Sequence, residues 1–587
     1  MLDTHWNLAA IYESFEDPQL AEDMAWVQAE CEALTALAGA PYIEAAAWLR
    51  EMLRRLSEVV VRFDKAANYV FLTLAVEATH EKAMACQDKI NALGMSMTLL
   101  ENAFARRLAS IDGLDAIIDG DETLREYRFV LKERAARARH MLPEALEGPV
   151  LEMQLTGGRA WEALRNVLDG TAMVEYKGQR LPLPTVRGMA YDPDPKVRKS
   201  AYEAELAAYP AYENAMAAAL NAIKGEAITL SKLKGYDSVL DEVLDISRMD
   251  RATLDAMMES IAQYLPAFRR YLKAKAKLLG HKNGLPFYDL FAPVGSAAAA
   301  YSYDEAHRYL VDILGRFSQK MGEFVDHAFQ NRWIDAMPAP GKGGGAFCAF
   351  VHSLGESRVL TNFDGSFSGV CTLAHELGHG YHGACLKDED ALNTSYPMPL
   401  AETASIFNET LVTQAALREA DGDTAFTLLE SELMEATQVI VDIYSRYLFE
   451  TALFAGRADH SLSVAELKQA MLDAQRAAYG DGLDPESLHP YMWQCKSHYY
   501  SADLHFYNFP YAFGLLFGRG VYARYEQQGE AFLPQYDALL KGTGNHSVAG
   551  TAALMGIDVR DKAFWRSALE SIARDIDRFV EQAEAKR

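Results

Sequence analysis

The sequence predicts a mainly α-helical protein, on two observations. Long segments are rich in Ala, Leu, Glu, Lys and Arg, with apolar residues recurring at intervals of three and four, as in amphipathic helices packed on helices. Signals for β-strands are confined to two short stretches. The clearest helical segments span residues 44–66, 70–108, 124–139 and 197–233, and Pro210 is expected to kink or divide the last of them.

The two strand-like stretches are short. Residues 173–184 predict a hairpin that turns around Lys177 and Gly178, and residues 346–360 predict two strands that turn near Gly355. The residue composition changes at residues 188–195, before a new helical segment. We therefore predict an N-terminal helical lobe over residues 1–190 and a larger domain over residues 191–587.

Composition excludes several classes of function. The chain has 57 Lys and Arg against 82 Asp and Glu, a formal net charge of −25, which repels nucleic acid and anionic membrane surfaces. We see no apolar stretch long enough to span a bilayer and no signal-peptide pattern at the N-terminus. The six cysteines include no CxxC pair and suit a reducing compartment. We expect a cytoplasmic protein without nucleic-acid or membrane partners, and the sequence does not indicate its oligomeric state.

The motif with chemical content is HExxH, formed by His375, Glu376 and His379. On a helix, positions i and i+4 share one face with a rise of about 6 Å, so two imidazoles can converge on one Zn²⁺. Glu376 is placed to act as a general base toward a water molecule. The alternative is a helix with two hydrogen-bonded histidines. Gly378 and Gly380 argue against it, because each costs a helix about 1 kcal/mol and is tolerated where backbones approach closely.

A catalytic zinc needs a third protein ligand beside an open position. The metzincin pattern requires glycine at position 382 and histidine at position 385, where this chain has His382 and Cys385, so that subclass is excluded. His382 lies almost a full turn beyond His379, and we expect it to pack rather than ligate.

Downstream carboxylates are the better source of a third ligand. A helix predicted to begin near Leu400 carries Glu402 in its first turn and Glu409 seven residues later. Glu402 could reach the metal, and Glu409 could accept the second N–H of a ligating histidine. The alternative is that both are ordinary exposed acids, and the residue types alone leave the two possibilities open.

The run NFDGSFSGVCTLAHELGHGYH at residues 362–382, followed by PMPLAETASIFNE at 397–409, closely resembles the oligoendopeptidase F group of thimet-oligopeptidase-like zinc metallopeptidases. Further similarity lies at residues 6–12, 288–293, 345–348 and 556–569, so the resemblance covers most of the chain. It implies that Glu402 is the third zinc ligand, with Ser405 and Glu409 completing its context.

The resemblance also implies a fold and an activity. The expected fold is a two-lobed, multi-helix body with a deep substrate channel and a small β-sheet near the zinc site. The expected activity is endopeptidase cleavage of short oligopeptides, with one Zn²⁺ per chain held by the domain over residues 191–587. Phe347 and Cys348 are expected to pair with the substrate backbone as an added strand.

The residue types of the aromatic stretch at residues 497–513 favour an aromatic core wall, whereas the resemblance implies that His and Tyr side chains from this stretch lie opposite the zinc. Pro510 favours a helix start, which leaves His505 and Tyr507 in the preceding loop. By resemblance, His505 and Tyr511 stabilise the oxyanion that forms during peptide hydrolysis, with Tyr507 and Tyr500 as further substrate-binding candidates.

Two other functions remain open. An exopeptidase would use the same zinc chemistry but needs a charged group to hold a peptide terminus, and none is evident in the sequence. A catalytically silent peptide-binding protein would keep the helices, but the intact HExxH and Glu402 count against it.

Overall fold

A computed structural model describes residues 2–295 and 300–586. The structure is 74% helical with small sheets, which confirms the predicted mainly α fold class. The helices in the first half are α1 (Pro18–Gly39), α2 (Ala45–Val76), α3 (Glu81–Ala109), α4 (Leu114–Gly120), α5 (Glu122–Glu126), α6 (Arg128–Arg137), α7 (Glu144–Thr156), α8 (Gly158–Thr171), α9 (Leu183–Gly188), α10 (Pro195–Ala208), α11 (Glu213–Leu233), α12 (Val239–Ile246) and α13 (Arg251–Leu278).

The second half contains the remaining helices and most of the strands. Its helices are α14 (Tyr303–Phe317), α15 (Gln319–Gln330), α16 (Phe367–Leu386), α17 (Met398–Ala401), α18 (Thr403–Glu419), α19 (Gly422–Thr437), α20 (Ile443–Asp459), α21 (Val464–Tyr479), α22 (Met492–Cys495), α23 (Phe509–Gln528), α24 (Leu533–Lys541), α25 (Val548–Ala553) and α26 (Lys562–Ala585). The strands of the chain are β1 (Met173–Tyr176), β2 (Gln179–Pro182), β3 (Ile334–Asp335), β4 (Phe347–Val351) and β5 (Glu356–Leu360). No described helix combines the length and the hydrophobicity that a bilayer crossing requires.

The chain divides into two compact units, each built from three separate stretches. Unit 1 comprises Met1–Met141, Ala298–Ala416 and Arg524–Ile557, and unit 2 comprises Leu142–Ala297, Leu417–Ala523 and Asp558–Arg587. The predicted domains, 1–190 and 191–587, describe the chain in sequence order, whereas the compact units are assembled from distant stretches. The domain boundary near residue 190 stays a prediction.

Helices α1, α2 and α3 form the core of the N-terminal part of unit 1. On α2 the buried residues recur with helical spacing, as the amphipathic pattern predicts, and they include Leu49, Met52, Leu56 and Val59. The predicted helices over 44–66 and 70–108 differ from the structure, since α2 continues to Val76 and the break falls at residues 77–80. There the Nδ1 atom of His80 accepts a hydrogen bond from the backbone N–H of Ala83 (3.1 Å) and caps α3.

The three-stranded sheet of unit 1 has the order β3-β5-β4. Strands β4 and β5 are antiparallel with Cys348 opposite Val359, and they turn at Gly355, whose φ is 64°. This confirms the strands predicted over residues 346–360. A Cβ atom on Gly383 of α16 would lie 2.6 Å from the Phe350 ring, so the sheet packs directly on the helix that carries HExxH.

Two local predictions for unit 2 are confirmed. Strands β1 and β2 form a hairpin whose turn residues, Lys177 and Gly178, both have positive φ (49° and 78°), as a two-residue type I′ turn requires. Pro210 divides the segment over 197–233, because α10 ends at Ala208 and α11 begins at Glu213. A π-helical turn, Gln438–Asp442, joins α19 to α20.

Candidate metal centre and active site

Helix α16 presents the two histidines of HExxH on one face. Ser366 caps its N-terminus, because the Ser366 hydroxyl accepts a hydrogen bond from the backbone N–H of Gly369 (3.0 Å). The rings of His375 and His379 lie one turn apart, with their centroids separated by 5.0 Å. Both side chains keep partial exposure, at 26% and 19%, so a ligand from outside the helix can reach them.

Glu402 meets both histidines at a break between helices. The sequence predicts a continuous helix from about Leu400, but α17 ends at Ala401, α18 begins at Thr403, and Glu402 lies at the junction. Its Oε2 atom is 3.2 Å from Nε2 of His375 and 3.5 Å from Nε2 of His379. The three donor atoms all lie within 4.8 Å of one another, which is compact enough for one metal ion.

Backbone contact holds the Glu402 junction against α16. A Cβ atom on Gly378 would lie 2.5 Å from the carbonyl oxygen of Ala404 and 2.6 Å from Cα of Ser405. The hydroxyl of Ser405 donates to Oε2 of Glu402 (2.8 Å), and the amide of Asn408 donates to the Ala374 carbonyl (3.4 Å). The glycine at position 378, inside HExxH, is therefore explained by the crossing of α16 and α18, whose backbones are in direct contact there.

Glu409 lies on the other side of the His375 ring. Its Oε2 atom is 3.2 Å from Nδ1 of His375, while Nε2 of the same ring faces Glu402. A carboxylate on the second ring nitrogen fixes the orientation and tautomer of a ligating histidine.

Burial and the neighbouring carboxylates set the protonation of these groups. Burial opposes a charge on His375, but hydrogen bonds to Glu402 and Glu409 outweigh it and raise the pKa of His375 to about 10. Burial lowers the pKa of His379 to about 4. Burial alone would raise the pKa of Glu402, yet its hydrogen bond with His375 and the neighbouring imidazoles lower it to about 2. The carboxylate of Glu402 is therefore ionised, and the protonated imidazole of His375 balances its charge.

Glu376 is the other carboxyl group of the motif and is only 6% exposed. Burial raises the pKa of Glu376 to about 7, and the charges of Glu402 and Glu409 add to the effect. The charge of Glu376 in turn contributes to the raised pKa of Cys348, whose main cause is burial. Strand β4 thus runs beside the candidate base.

Phe347 and Cys348 lie on β4, which is an edge strand of its sheet in the described structure. Both residues are half-buried. The Phe347 ring packs against Phe71 of α2, with centroids 5.0 Å apart.

His382 is fully buried and turned away from the three donor atoms. Its Nε2 atom lies 2.7 Å from the hydroxyl of Thr543, and its ring stacks on Tyr396 at a centroid distance of 4.2 Å. Burial lowers the pKa of His382 to about 3.

The predicted aromatic residues belong to unit 2. Pro510 lies in the first turn of α23, as predicted, and the hydroxyl of Tyr511 donates to the hydroxyl of Tyr507 (2.9 Å). His505 instead contacts Lys224, whose Nζ atom lies 3.2 Å from His505 Nδ1. Tyr500 is fully buried in a hydrophobic core, so the structure leaves it no surface for a substrate contact.

His498 is a residue that the sequence reasoning missed. Its ring lies 6.0 Å from the Tyr507 ring, and its Nε2 atom is buried without a hydrogen-bond partner. Burial, with help from the cations Arg446 and Lys496, lowers the pKa of His498 to about 3, so the imidazole is neutral. The only signal in the sequence was its place in the same aromatic stretch as His505.

A second cluster of metal-ligand types in the described residues consists of Glu205, His489 and Cys495. The backbone N–H of Tyr491 donates to Nδ1 of His489 (3.2 Å), so Nε2 of His489 carries the proton and faces Glu205. Arg187 also pairs with Glu205 (3.2 Å), and burial raises the pKa of Cys495 to about 11. A protonated imidazole nitrogen, a protonated thiol and an adjacent guanidinium do not suit a metal.

In this helical fold, the two histidines of HExxH converge with a glutamate. This arrangement of metal ligands is typical of HExxH metallopeptidases. Residues 188–571 match the model of Peptidase family M3, and the chain belongs to this family. The oligoendopeptidase F homolog of Lactococcus lactis subsp. lactis is 25% identical over 377 residues, 64% of this chain and 62% of the relative. The corresponding homolog of Borreliella burgdorferi is 21% identical over 528 residues, 88% of each chain.

Solved structures share the fold. Oligoendopeptidase-F from Enterococcus faecium superimposes with a TM-score of 0.71 at 16% identity, covering 97% of this chain and 99% of that one. PZ peptidase A, solved with an inhibitor, gives a TM-score of 0.75 at 15% identity over 95% of this chain and 98% of that one. Together with the family match, these likenesses confirm the family that the sequence resembles.

Proposed function

We propose that this chain is a zinc-dependent endopeptidase that hydrolyses short oligopeptides. The observation that carries the proposal is the convergence of His375, His379 and Glu402 within 4.8 Å, beside the buried Glu376. The oligoendopeptidase F relatives support the same activity, although the chain spans only about 62% of the length of the first of them.

The donor set suits zinc. Two imidazoles and one carboxylate leave a fourth position of a tetrahedral ion open, which is the composition of a catalytic rather than a structural site. Glu402 would bring negative charge to the ion, and Ser405 and Glu409 would hold Glu402 and His375 in place. When bound, Zn²⁺ would supply a Lewis acid that acidifies a water molecule and polarises the substrate carbonyl.

Glu376 would move the proton in this mechanism. It accepts a proton from the attacking water and donates it to the amine that leaves. Its low exposure keeps bulk water away from the transferred proton, and its place next to His375 in the sequence sets it beside the metal ligands.

Neutral donors from the aromatic stretch at residues 497–513 would stabilise the oxyanion, as the family resemblance suggests. Tyr511 and Tyr507 form a hydroxyl pair, and His498 offers a neutral imidazole with an unused Nε2. We propose these three in that role, with His505 retained as the candidate that the resemblance suggests. The contact of His505 with Lys224 leaves fewer free ring atoms for a substrate, which favours His498.

Strand β4 would receive the peptide. Its outer edge pairs with no described strand and would offer backbone groups around Phe347 and Cys348 to an extended chain, as in strand addition. We propose short peptides as the substrates and the cytoplasm as the place where they are cleaved.

Peptides with both ends blocked test the proposal against an exopeptidase. We expect internal cleavage of an N-acetylated, C-amidated peptide of about ten residues, loss of cleavage with a chelator, and recovery with Zn²⁺. Mass spectrometry of the products identifies the bond that is cut. An intact blocked peptide beside a trimmed free peptide would contradict the endopeptidase and favour the exopeptidase.

A further inference from the structure

Unit 2 contains a cavity of about 300 Å³ that the proposed peptidase mechanism does not use. Its lining residues come from six stretches of unit 2, including α10, the segment before it and the π-helical turn Gln438–Asp442. The volume is at the lower end of the range of small-molecule sites, about 300–1,000 Å³. A cavity of this size fits an amino-acid derivative.

The π-helical turn forms part of the cavity wall and is the first indication that the cavity has a function. Gln438 and Asp442, at its two ends, both line the cavity. A π-turn is rare, and such turns are frequent at functional sites because they displace side chains from the regular helical position. Asp442 is already paired with Arg446 and accepts a hydrogen bond from Tyr479 (3.3 Å), so its charge is balanced.

Two cationic side chains in the cavity wall have N–H groups that do not donate to any described residue. The ammonium group of Lys496 has no ion-pair partner within 4 Å among the described residues, although it lines the cavity. Burial lowers the pKa of Lys496, and the charge of Asp442, which also lines the cavity, opposes this effect. Arg187 pairs through Nε with Glu205 (3.2 Å) and through Nη1 with the Cys495 carbonyl (3.3 Å), while its Nη2 atom bonds to no described residue. The wall also contains the carboxylates of Glu205 and Asp442, but these are paired with Arg187 and Arg446, which leaves the ammonium group of Lys496 without a partner in contact.

Aromatic rings form another part of the wall. The rings of Tyr191 and Phe291 lie 4.8 Å apart, and those of Tyr202 and Tyr288 lie 5.6 Å apart. Tyr191 is 58% exposed, which places it where the cavity opens to solvent. Flat rings beside an unpaired ammonium group favour a ligand that is aromatic at one end and anionic at the other.

We propose that this cavity binds a small aromatic carboxylate, such as a short peptide product that ends in an aromatic residue. The carboxylate would lie on Lys496 and Arg187, and the ring would pack against Tyr191 and Phe291. Binding in this cavity does not require the zinc site, whereas the choice of a peptide product as the ligand rests on the proposed function.

The test uses the full-length, zinc-loaded protein and N-acetyl-L-phenylalanine as the probe in isothermal titration calorimetry. We expect saturable binding of one probe per chain. N-acetyl-L-phenylalanine amide, which lacks the carboxylate, and N-acetyl-L-alanine, which lacks the ring, are expected to bind at least about tenfold more weakly.

Variants locate the site. Lys496→Met keeps the apolar stem and is expected to weaken binding at least about tenfold, whereas Lys199→Met, an exposed lysine on α10, leaves it unchanged. Tyr191→Ala removes an exposed ring, tests the aromatic wall without threatening the core, and is also expected to weaken binding. Absence of saturable binding, equal binding of the amide, or full affinity in both Lys496→Met and Tyr191→Ala would overturn the proposal.

Discussion

The Nδ1 atom of His375 lies 3.2 Å from Oε2 of Glu409, on the opposite side of the ring from Glu402. One imidazole is thus held between two carboxylates from a single downstream segment. Glu402, on the Nε2 side of the His375 ring, also contacts His379. A rotation of the His375 ring would therefore break its contact with Glu402 or with Glu409.

This contact predicts the effect of Glu409→Gln. We expect the variant to fold and to bind zinc about 10–100-fold more weakly, because the amide no longer fixes the His375 tautomer as a carboxylate does. Competition with a chromophoric chelator measures the affinity. Glu419→Gln, at an exposed position on the same helix, is the matched control, and equal affinity in both variants would contradict the role of Glu409.

The crossing of α16 and α18 predicts that Gly378→Ala is damaging. The added Cβ would meet the backbone of Ala404 and Ser405 at 2.5 and 2.6 Å, and backbone cannot move aside as a flexible side chain can. We expect a loss of about 1–3 kcal/mol in the free energy of unfolding, together with weaker zinc binding. Gly170→Ala in α8, where nothing lies within 4 Å of the new Cβ, serves as the control and should be neutral or stabilising. A Gly378→Ala protein as stable as the wild type would refute the close crossing.

Buried histidines predict a loss of stability in acid. Burial lowers the pKa of His382 and of His498 to about 3, against about 6.5 in an unfolded chain. Between these values the unfolded state binds more protons, so the free energy of unfolding falls as the pH falls from about 6.5 towards 3. The slope is up to about 1.4 kcal/mol per pH unit for each histidine.

Denaturant unfolding at several pH values, with chelator throughout so that zinc release does not contribute, measures this slope. His382→Asn is expected to reduce the slope, while His460→Asn, at an exposed position, should not. An unchanged slope in His382→Asn would show that this histidine is not the buried neutral group described here.

The proposed oxyanion donors in the aromatic stretch at residues 497–513 predict a ranking of variants. If His498, Tyr507 and Tyr511 donate to the oxyanion, His498→Ala and Tyr511→Phe should lower kcat by about 10²–10³-fold with a smaller change in KM. His505→Ala should lower kcat less, because its Nδ1 atom is engaged by Lys224. Steady-state kinetics on a quenched peptide decides, and a larger loss in His505→Ala than in His498→Ala would restore the choice made from sequence.

Local chemistry was predictable from sequence, and long-range contact was not. The HExxH spacing, the division at Pro210 and the hairpin at Lys177 and Gly178 each depend on a few neighbouring residues. Whether His498 or His505 is free to act depends on Lys224, which lies 281 residues before His505. No periodicity in the chain reports such a contact.

Glu402 is a second example, within the site, of a position that depends on long-range contact. The family resemblance implied that Glu402 is a ligand, but a continuous helix was predicted through it. The break between α17 and α18 is what places its carboxylate between the two rings, and that break is stabilised by contact with α16 at Gly378. Compact units assembled from distant stretches, and the cavity within unit 2, likewise arise from tertiary packing.

The most direct measurement of the central claim is zinc content and turnover in a single preparation of Glu376→Gln, beside the wild type. We expect one zinc per chain in both proteins, and turnover of an end-blocked peptide reduced by at least about 10³-fold in the variant, since the ligands are intact and the base is gone. Wild-type turnover in Glu376→Gln would contradict the assigned base, and a wild-type chain that is active without bound metal would contradict the assigned site.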